Sequence, residues 1–261
     1  MKLAITGATG RMGLAVIRLA HAAGDVQIVG GTCGPNDPGN GRDLGELAGV
    51  GSLGVVAGPD ISSALLGAEV VIDFSVASLV QELATLCARQ KIALVSGTTN
   101  LDATAVKALD RAADVVPVLW APNMSLGVQV LAELVQHAVR RLGPDFDVEI
   151  AEIHHRKKVD SPSGTAKRLA EAAKSARAEL DEVHSRAGDV GPRSSQEIGV
   201  FGLRGGDVIG DHTVFLFGNG ERIELTHRAS QRDLFANGAL RAARYLVGKP
   251  SGRYTIADVL G

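Results

Sequence analysis

Between Glu152 and Ala166 the chain reads Glu-Ile-His-His-Arg-Lys-Lys-Val-Asp-Ser-Pro-Ser-Gly-Thr-Ala, the stretch of the sequence richest in chemically useful groups. His154 and His155 stand beside three cations, Arg156, Lys157 and Lys158. An imidazole near its ordinary pKa of about 6.5 moves a proton at neutral pH. Cations followed by a Ser-Pro-Ser-Gly-Thr helix start, with its caps and free backbone N–H groups, suit a carboxylate or a phosphate. The segment admits three roles: a solvated charge run closing a strand, a metal site on the two histidines, or acid–base catalysis beside an anionic substrate. The metal role is awkward. Adjacent strand residues point to opposite faces, and no cysteine or carboxylate cluster completes a zinc set, so no metal is expected.

The second chemical signal is Ala4-Ile5-Thr6-Gly7-Ala8-Thr9-Gly10-Arg11-Met12-Gly13, placed between an aliphatic strand and a helical pattern. Glycines there permit a tight turn and let a pyrophosphate approach backbone N–H groups at a helix N-terminus. The spacing is GxxGxxG rather than GxGxxG. A glycine-rich turn without a ligand is the plainer alternative. The acidic residue that usually grips an adenosine ribose at the end of the second strand is missing, because that position falls at Thr32-Cys33-Gly34. Its absence removes both a repulsion of a 2′-phosphate and a grip on NAD. Arg11 is placed to pair with such a phosphate, or else is a solvated arginine at a helix start. Two more loops follow strand-like runs: Ser96-Gly97-Thr98-Thr99-Asn100 and Ala121-Pro122-Asn123-Met124-Ser125. Ligands bind outside the carboxyl ends of parallel strands, so both loops are candidates for the nicotinamide half of a dinucleotide, though each also reads as an ordinary turn.

These groups need elements to hold them. Strand-like runs at Leu3–Thr6, Val26–Gly30, Val70–Phe74, Ile92–Val95 and Val115–Leu119 alternate with helical patterns at Met12–Ala23, Ser78–Arg89 and Asp102–Ala113. Such alternation predicts βαβ units and a parallel sheet. Aromatics are only 3% of the 261 residues, which leaves an aliphatic core of the kind parallel sheets bury. Cys33–Gly54 is rich in Gly, Pro, Asn and Asp and reads as a long surface loop. After Asn123 the pattern changes. Leu126–Arg141 and Ser163–Ala176 read as helices, while Asp147–His154, Ile198–Leu203, Asp207–Phe217 and Arg222–His227 read as strands able to pair antiparallel. Asn219-Gly220 makes a hairpin turn. Phe235–Val247 is a last long helix, followed by a short tail, Tyr254–Leu260. The expectation is an α/β fold, with a parallel-sheet domain over residues 1–125 and 235–261 and an α+β domain with an open mixed sheet over residues 126–234.

A net charge of −2 offers no nucleic-acid footprint. The N-terminus lacks a signal-peptide layout, no apolar run approaches a membrane span, and Cys33 and Cys87 form no CxxC pair; a cytoplasmic protein with free thiols is expected.

The Glu152–Ala166 run closely resembles the signature E-x-H-H-x-x-K-x-D-x-P-S-G-T-A of the 4-hydroxy-tetrahydrodipicolinate reductase (dihydrodipicolinate reductase) family. Gly7–Gly13, Asp73-Phe74-Ser75, Gly97-Thr98-Thr99, Ala121–Val128 and Thr226–Ala239 follow the family's order along the whole chain. The resemblance implies a Rossmann-type domain with a substrate and tetramerisation domain inserted before the last helix, and homotetramers joined through the second sheets. It implies His154 as proton donor/acceptor, Lys158 as proton donor, His155 as a substrate contact, and Gly164 and Thr165 as the clamp on a carboxylate of a cyclic dicarboxylate. Cofactor contacts fall on Gly7, Ala8, Thr9, Gly10, Arg11, Met12, Cys33, Gly34, Gly97, Thr98, Thr99, Ala121, Pro122, Asn123 and Met124. Many family members carry an acidic residue followed by arginine where this chain has Cys33-Gly34, so NADPH and NADH are both expected as cofactors, with dual use or an NADPH bias. Segments Asn123–Gly127 and Gln231–Leu234 are candidate hinges. The rivals are another two-domain dehydrogenase, a non-catalytic NADP-sensing Rossmann protein and a metal-dependent hydrolase. The first two give no reason for the paired histidines beside an anion clamp, and insensitivity to chelators would dismiss the third.

Overall fold

The computed structural model describes residues Met1–Gly261. In chain order its elements are β1 (Lys2–Thr6), α1 (Arg11–Ala23), β2 (Gln27–Thr32), α2 (Leu44–Ala48), β3 (Ala57–Gly58), α3 (Ile61–Ala64), β4 (Val70–Asp73), α4 (Ala77–Gln90), β5 (Ala93–Ser96), α5 (Ala103–Ala113), β6 (Pro117–Trp120), α6 (Leu126–Leu142), β7 (Asp147–His154), α7 (Gly164–Ala176), β8 (Asp181–Val183), β9 (Glu197–Arg204), β10 (Asp211–Gly218), β11 (Glu221–Arg228), α8 (Asp233–Leu246), β12 (Gly252–Tyr254) and α9 (Ile256–Leu260). The chain divides into two units, Met1–Met124 with Asp233–Gly261, and Ser125–Arg232.

The first unit is built on a seven-stranded sheet in the order β12-β6-β5-β4-β1-β2-β3. Every strand pair in it is parallel. From β1 the chain moves outward through β2 and β3, then restarts at β4 on the other side of β1. The order therefore reverses between β1 and β4, and a crevice forms at their carboxyl ends. The central strands are buried on both faces, which is why they read as uninterrupted aliphatic runs. Val71, Leu94 and Val118 pack with Val80, Leu83 and Leu109 of the covering helices α4 and α5. Each buried leucine contributes about 1.5–3 kcal/mol of transfer free energy.

Two segments are more ordered than the sequence suggested. The long loop after Cys33 contains α2, organised by one carboxylate. Asp43 caps the helix through Gly45 and Glu46 N–H groups and also accepts from Leu53 N, Gly54 N and Ser52 Oγ. The tail contributes β12, which pairs with β6 at the sheet edge, and α9, closed by a Thr255–Asp258 capping box.

The second unit has a five-stranded mixed sheet, β11-β10-β7-β9-β8, with α6 and α7 against one face. The sheet is mixed, as expected: β10 pairs antiparallel with β7 and β11, while β9 runs parallel to both β7 and β8, so of the strands read as able to pair antiparallel β9 is the one that does not. The excursion through α7 and β8 returns the chain in the same direction, a long-range fact that strand periodicity does not carry. β10 also starts at Asp211, later than expected, because Gly206 and Val208 carbonyls turn back to accept from Arg156 and His155. In β7 alternate residues face the helices. The register that buries Val148 and Ile150 in the core also turns Glu152 and His154 inward. His212, Val214 and Leu216 of β10 face the same side.

Candidate active site

The crevice of the first unit carries the glycine turn. Gly7 has a φ of 71°, and a Cβ there would lie 2.4 Å from the Phe74 carbonyl oxygen. A Cβ on Gly13 would meet the Gly7 carbonyl oxygen at 2.3 Å, so the turn and α1 close onto each other only through glycine. Gly10 is the α1 N-cap and has no side-chain cap, which leaves the first helical N–H groups without a side-chain acceptor. A cradle that a Cβ would fill, beside a side-chain-free helix N-terminus, fits a dinucleotide pyrophosphate.

Around it the remaining cofactor candidates separate into facing and supporting groups. Ala8 is buried and its N–H donates to Thr32. Arg11 is exposed, and Met12 lies partly buried beside it. Cys33 is buried, with burial, then the nearby Asp37 charge, pushing its thiol up, while Gly34 is open to solvent. Thr98 is turned inward, its hydroxyl 2.7 Å from Asp73 Oδ2, whereas Thr99 is exposed. A Cβ on Gly97 would strike the Phe74 ring. Ala121 N–H donates to Ser96, and the Met124 carbonyl sits where only a glycine, Gly238, can face it. Pro122 is exposed and Asn123 half-buried.

Two acidic residues take roles that local sequence does not indicate. Asp73 is fully buried at the end of β4 and accepts from Thr6, Ser75, Ser96 and Thr98 hydroxyls at 2.5–2.7 Å, tying three strands and their loops together. Asp37 accepts from Thr9 Oγ1 at 2.9 Å and from Gly39 N at 2.7 Å, placing a carboxylate against the glycine turn although Cys33 is neutral in character. Its separation from the strand end hid it from a search for an acid at that position.

In the second unit His154 ends β7, and its Nδ1 is 2.5 Å from Glu152 Oε2. Burial lowers the proton affinity of His154, the Glu152 carboxylate opposes this, and the net pKa lies below the ordinary value. Burial raises Glu152, but hydrogen bonds from Arg204 and His154 outweigh it and hold the group ionised. His212 packs edge-on against His154 with ring centroids 5.1 Å apart, and its Nε2 is 3.0 Å from Ser163 Oγ. Burial, then the neighbouring His154, pushes His212 down to about 4. Ser163 caps α7 through Ala166 N. Next to it Gly164 is exposed, with open space where a side chain would be, and Thr165 is partly buried. His155 Nε2 lies 3.3 Å from Arg232 Nη2, and its buried Nδ1 has no partner. Lys158 Nζ is held at 2.8 and 2.9 Å by the two oxygens of Asp160. His154, His155, Lys158 and the α7 start are thus gathered around one end of this sheet. Local spacing gives Glu152 no role, and it does not join the segment to Arg204 of β9, His212 of β10 or Arg232 in the turn before α8. No group of three or more His, Cys, Asp or Glu side chains is arranged to hold a metal ion.

Family models for the two halves of dihydrodipicolinate reductase match this chain, the N-terminal one over residues 1–124 and the C-terminal one over residues 127–260. The chain belongs to the dihydrodipicolinate reductase family. It is 48% identical over 265 residues to the 4-hydroxy-tetrahydrodipicolinate reductase of Myxococcus xanthus, covering 100% of this chain and 98% of the relative. It is 49% identical over 263 residues to the enzyme of the same name from Anaeromyxobacter dehalogenans, covering 100% and 97%. A dipicolinate-bound dihydrodipicolinate reductase from Paenisporosarcina sp. TG-14 shares the fold, with a TM-score of 0.80, 22% identity and coverage of 99% and 98%. An amine dehydrogenase from Mycobacterium smegmatis shares it more distantly, at a TM-score of 0.62 and 13% identity, with coverage of 98% and 95%. As a member of this reductase family the protein is an oxidoreductase, with a Rossmann-type unit for a nicotinamide cofactor. No helix is long and apolar enough to cross a membrane.

Proposed function

We propose that this protein reduces 4-hydroxy-tetrahydrodipicolinate to tetrahydrodipicolinate with NADPH or NADH, in the lysine/diaminopimelate pathway of the cytoplasm. The observation that carries it is the convergence of His154, Lys158 and the Gly164–Thr165 helix start at one end of the second sheet. A proton source thereby stands beside a carboxylate clamp. The dipicolinate held by the Paenisporosarcina protein is a cyclic dicarboxylate, the same chemical class.

The net reaction consumes the hydroxylated ring, one reduced nicotinamide and one proton, and yields tetrahydrodipicolinate, oxidised nicotinamide and water. When bound, a reduced nicotinamide dinucleotide would supply hydride to the ring carbon of the unsaturated imine left after the hydroxyl departs. Gly7, Ala8, Thr9, Gly10, Arg11 and Met12 would hold its pyrophosphate half, and Gly97–Thr99 with Ala121–Met124 its nicotinamide half. His154 delivers or withdraws a proton through Nε2. Lys158 is the second candidate proton donor, placed to offset negative charge developing toward the ring nitrogen; a substrate carboxylate competes with Asp160 for it. Gly164 and Thr165 amides take one carboxylate, with His155 and Arg232 contacting the ring's other side. Copies associate as tetramers through the sheet face opposite α6 and α7, where Ile153, Leu203 and Phe217 are exposed.

The test is oxidation of NADPH and NADH with freshly made synthase product, in the wild type and in His154→Gln. The variant loses roughly 10²-fold or more in turnover while cofactor Kd stays within about twofold. Equal turnover in the two proteins refutes the assignment.

A further inference from the structure

One buried carboxylate holds several parts of the second unit's site at once. Glu152 has no exposed surface. Its Oε2 meets His154 Nδ1 at 2.5 Å and accepts from Arg204 Nη1 at 2.8 Å. Its Oε1 accepts from Arg204 Nη2 at 2.8 Å and from the Ser163 N–H at 3.1 Å. Arg204 Nη2 also donates to the Asp160 carbonyl at 2.6 Å, and the Asp160 carboxylate holds Lys158. The histidine, the lysine loop and the cap of α7 are therefore fastened to one group.

We propose that Glu152 is the positioning residue of the proton-transfer site, with Arg204 as its counter-ion: it locks His154 as the Nδ1–H tautomer, leaves Nε2 as the proton-exchanging atom, and sets that atom in register with the Ser163–Thr165 clamp. This rests on the role proposed above for His154. An ionised carboxylate offers only acceptors, so the nitrogen 2.5 Å from it carries the hydrogen. The other nitrogen, Nε2, faces Gly210, where a Cβ would come within 2.9 Å of it. A glycine there keeps that nitrogen unobstructed. The charged groups around the imidazole are Glu152 on its own strand, Arg204 on β9 and Lys158 in the following loop, with His212 against its ring from β10. Of these only Glu152 favours the imidazolium. Protonation of His154 between turnovers depends on it, in the manner of carboxylate–histidine pairs that fix tautomer and orientation.

The test uses the full-length protein with Glu152→Gln and with the double variant Glu152→Gln/Arg204→Gln, which does not strand a buried cation. The His154 titration midpoint and tautomer are read by 1H–15N NMR without substrate or cofactor, with unchanged far-UV circular dichroism as the folding control. The expected result is a His154 midpoint lower by about one pH unit or more. In parallel, kcat falls about 10²-fold with KM changed less than about threefold, and the kcat pH profile moves with the NMR midpoint. Glu152→Asp, which keeps the charge, restores the midpoint more than it restores kcat. An unchanged midpoint and tautomer in folded Glu152→Gln overturns the proposal. A lowered midpoint with unchanged kcat removes His154 from the proton-donor role and takes the positioning role with it.

Discussion

Stability should fall as pH drops from 7 to 5, and His212 is a principal cause. An unfolded histidine takes up its proton near 6.5, whereas burial, with His154 alongside, holds His212 down to about 4 in the folded protein. Between those values the unfolded chain binds the proton and the native chain does not, so the native state loses ground as pH falls through 6.5. Integrating the linkage relation from pH 7 to pH 5 gives about 2 kcal/mol for this one group, rising to roughly 3 kcal/mol when the window is traversed completely. His154 and His227, also lowered by burial, act in the same direction. Glu152 contributes only at lower pH, because its depressed pKa matters once the pH falls below the ordinary carboxyl range. The measurement is urea unfolding at pH 7 and pH 5, followed by far-UV circular dichroism. Trp120, the single tryptophan, lies in the first unit and reports that unit separately by fluorescence. His212→Gln should show a pH dependence of the second unit's transition smaller by about 2 kcal/mol than the wild type. Its absolute stability is a separate matter, since the variant also disturbs the bond to Ser163. If wild type and variant lose equal stability between the two pH values, burial of a neutral His212 is not the cause.

Two further perturbations bear on the cofactor. Gly7→Ala places a Cβ 2.4 Å from the Phe74 carbonyl oxygen at a φ of 71°. It should cost about 1–2 kcal/mol for the left-handed backbone alone, with a loss of dinucleotide affinity seen by calorimetry; unchanged affinity would mean that the pyrophosphate lies elsewhere. Asp37→Asn should improve the Kd for NADPH relative to NADH by roughly fivefold, the worth of about 1 kcal/mol between two charges a few ångströms apart in water. Arg11→Ala should move the same ratio in the opposite direction.

Much of the fold was legible because its signals are local. The aliphatic runs of β1, β4 and β5 read as buried parallel strands, and the glycine turn sits where a βα unit needs it. Four of the second unit's five strands are visible too, but not the short β8 and not the strands' partners. Periodicity says that Glu152 and His154 share a face, yet it cannot say that Arg204, fifty residues on, lies in the adjacent strand at the same level. The same holds for His212, register partner of Glu152. The Asp73-Phe74-Ser75 run is a local motif, but the five-donor environment of Asp73 depends on three strands meeting. Asp37 shows the opposite limit. A search for an acid at the strand end finds Cys33, whereas the chain brings a carboxylate back to the turn from a few residues downstream.

The first unit is discontinuous in sequence, and α8, which packs on α1 and on strands β4, β5 and β6, is contributed by its distal piece. During synthesis the parallel sheet therefore leaves the ribosome without one of its covering helices, while Ser125–Arg232 emerges as a single uninterrupted stretch. The later-encoded unit is the first to have all its parts available. The nascent N-terminal half has an uncovered aliphatic surface until the last thirty or so residues are translated, which makes that interval the one in which the growing polypeptide most needs protection from aggregation.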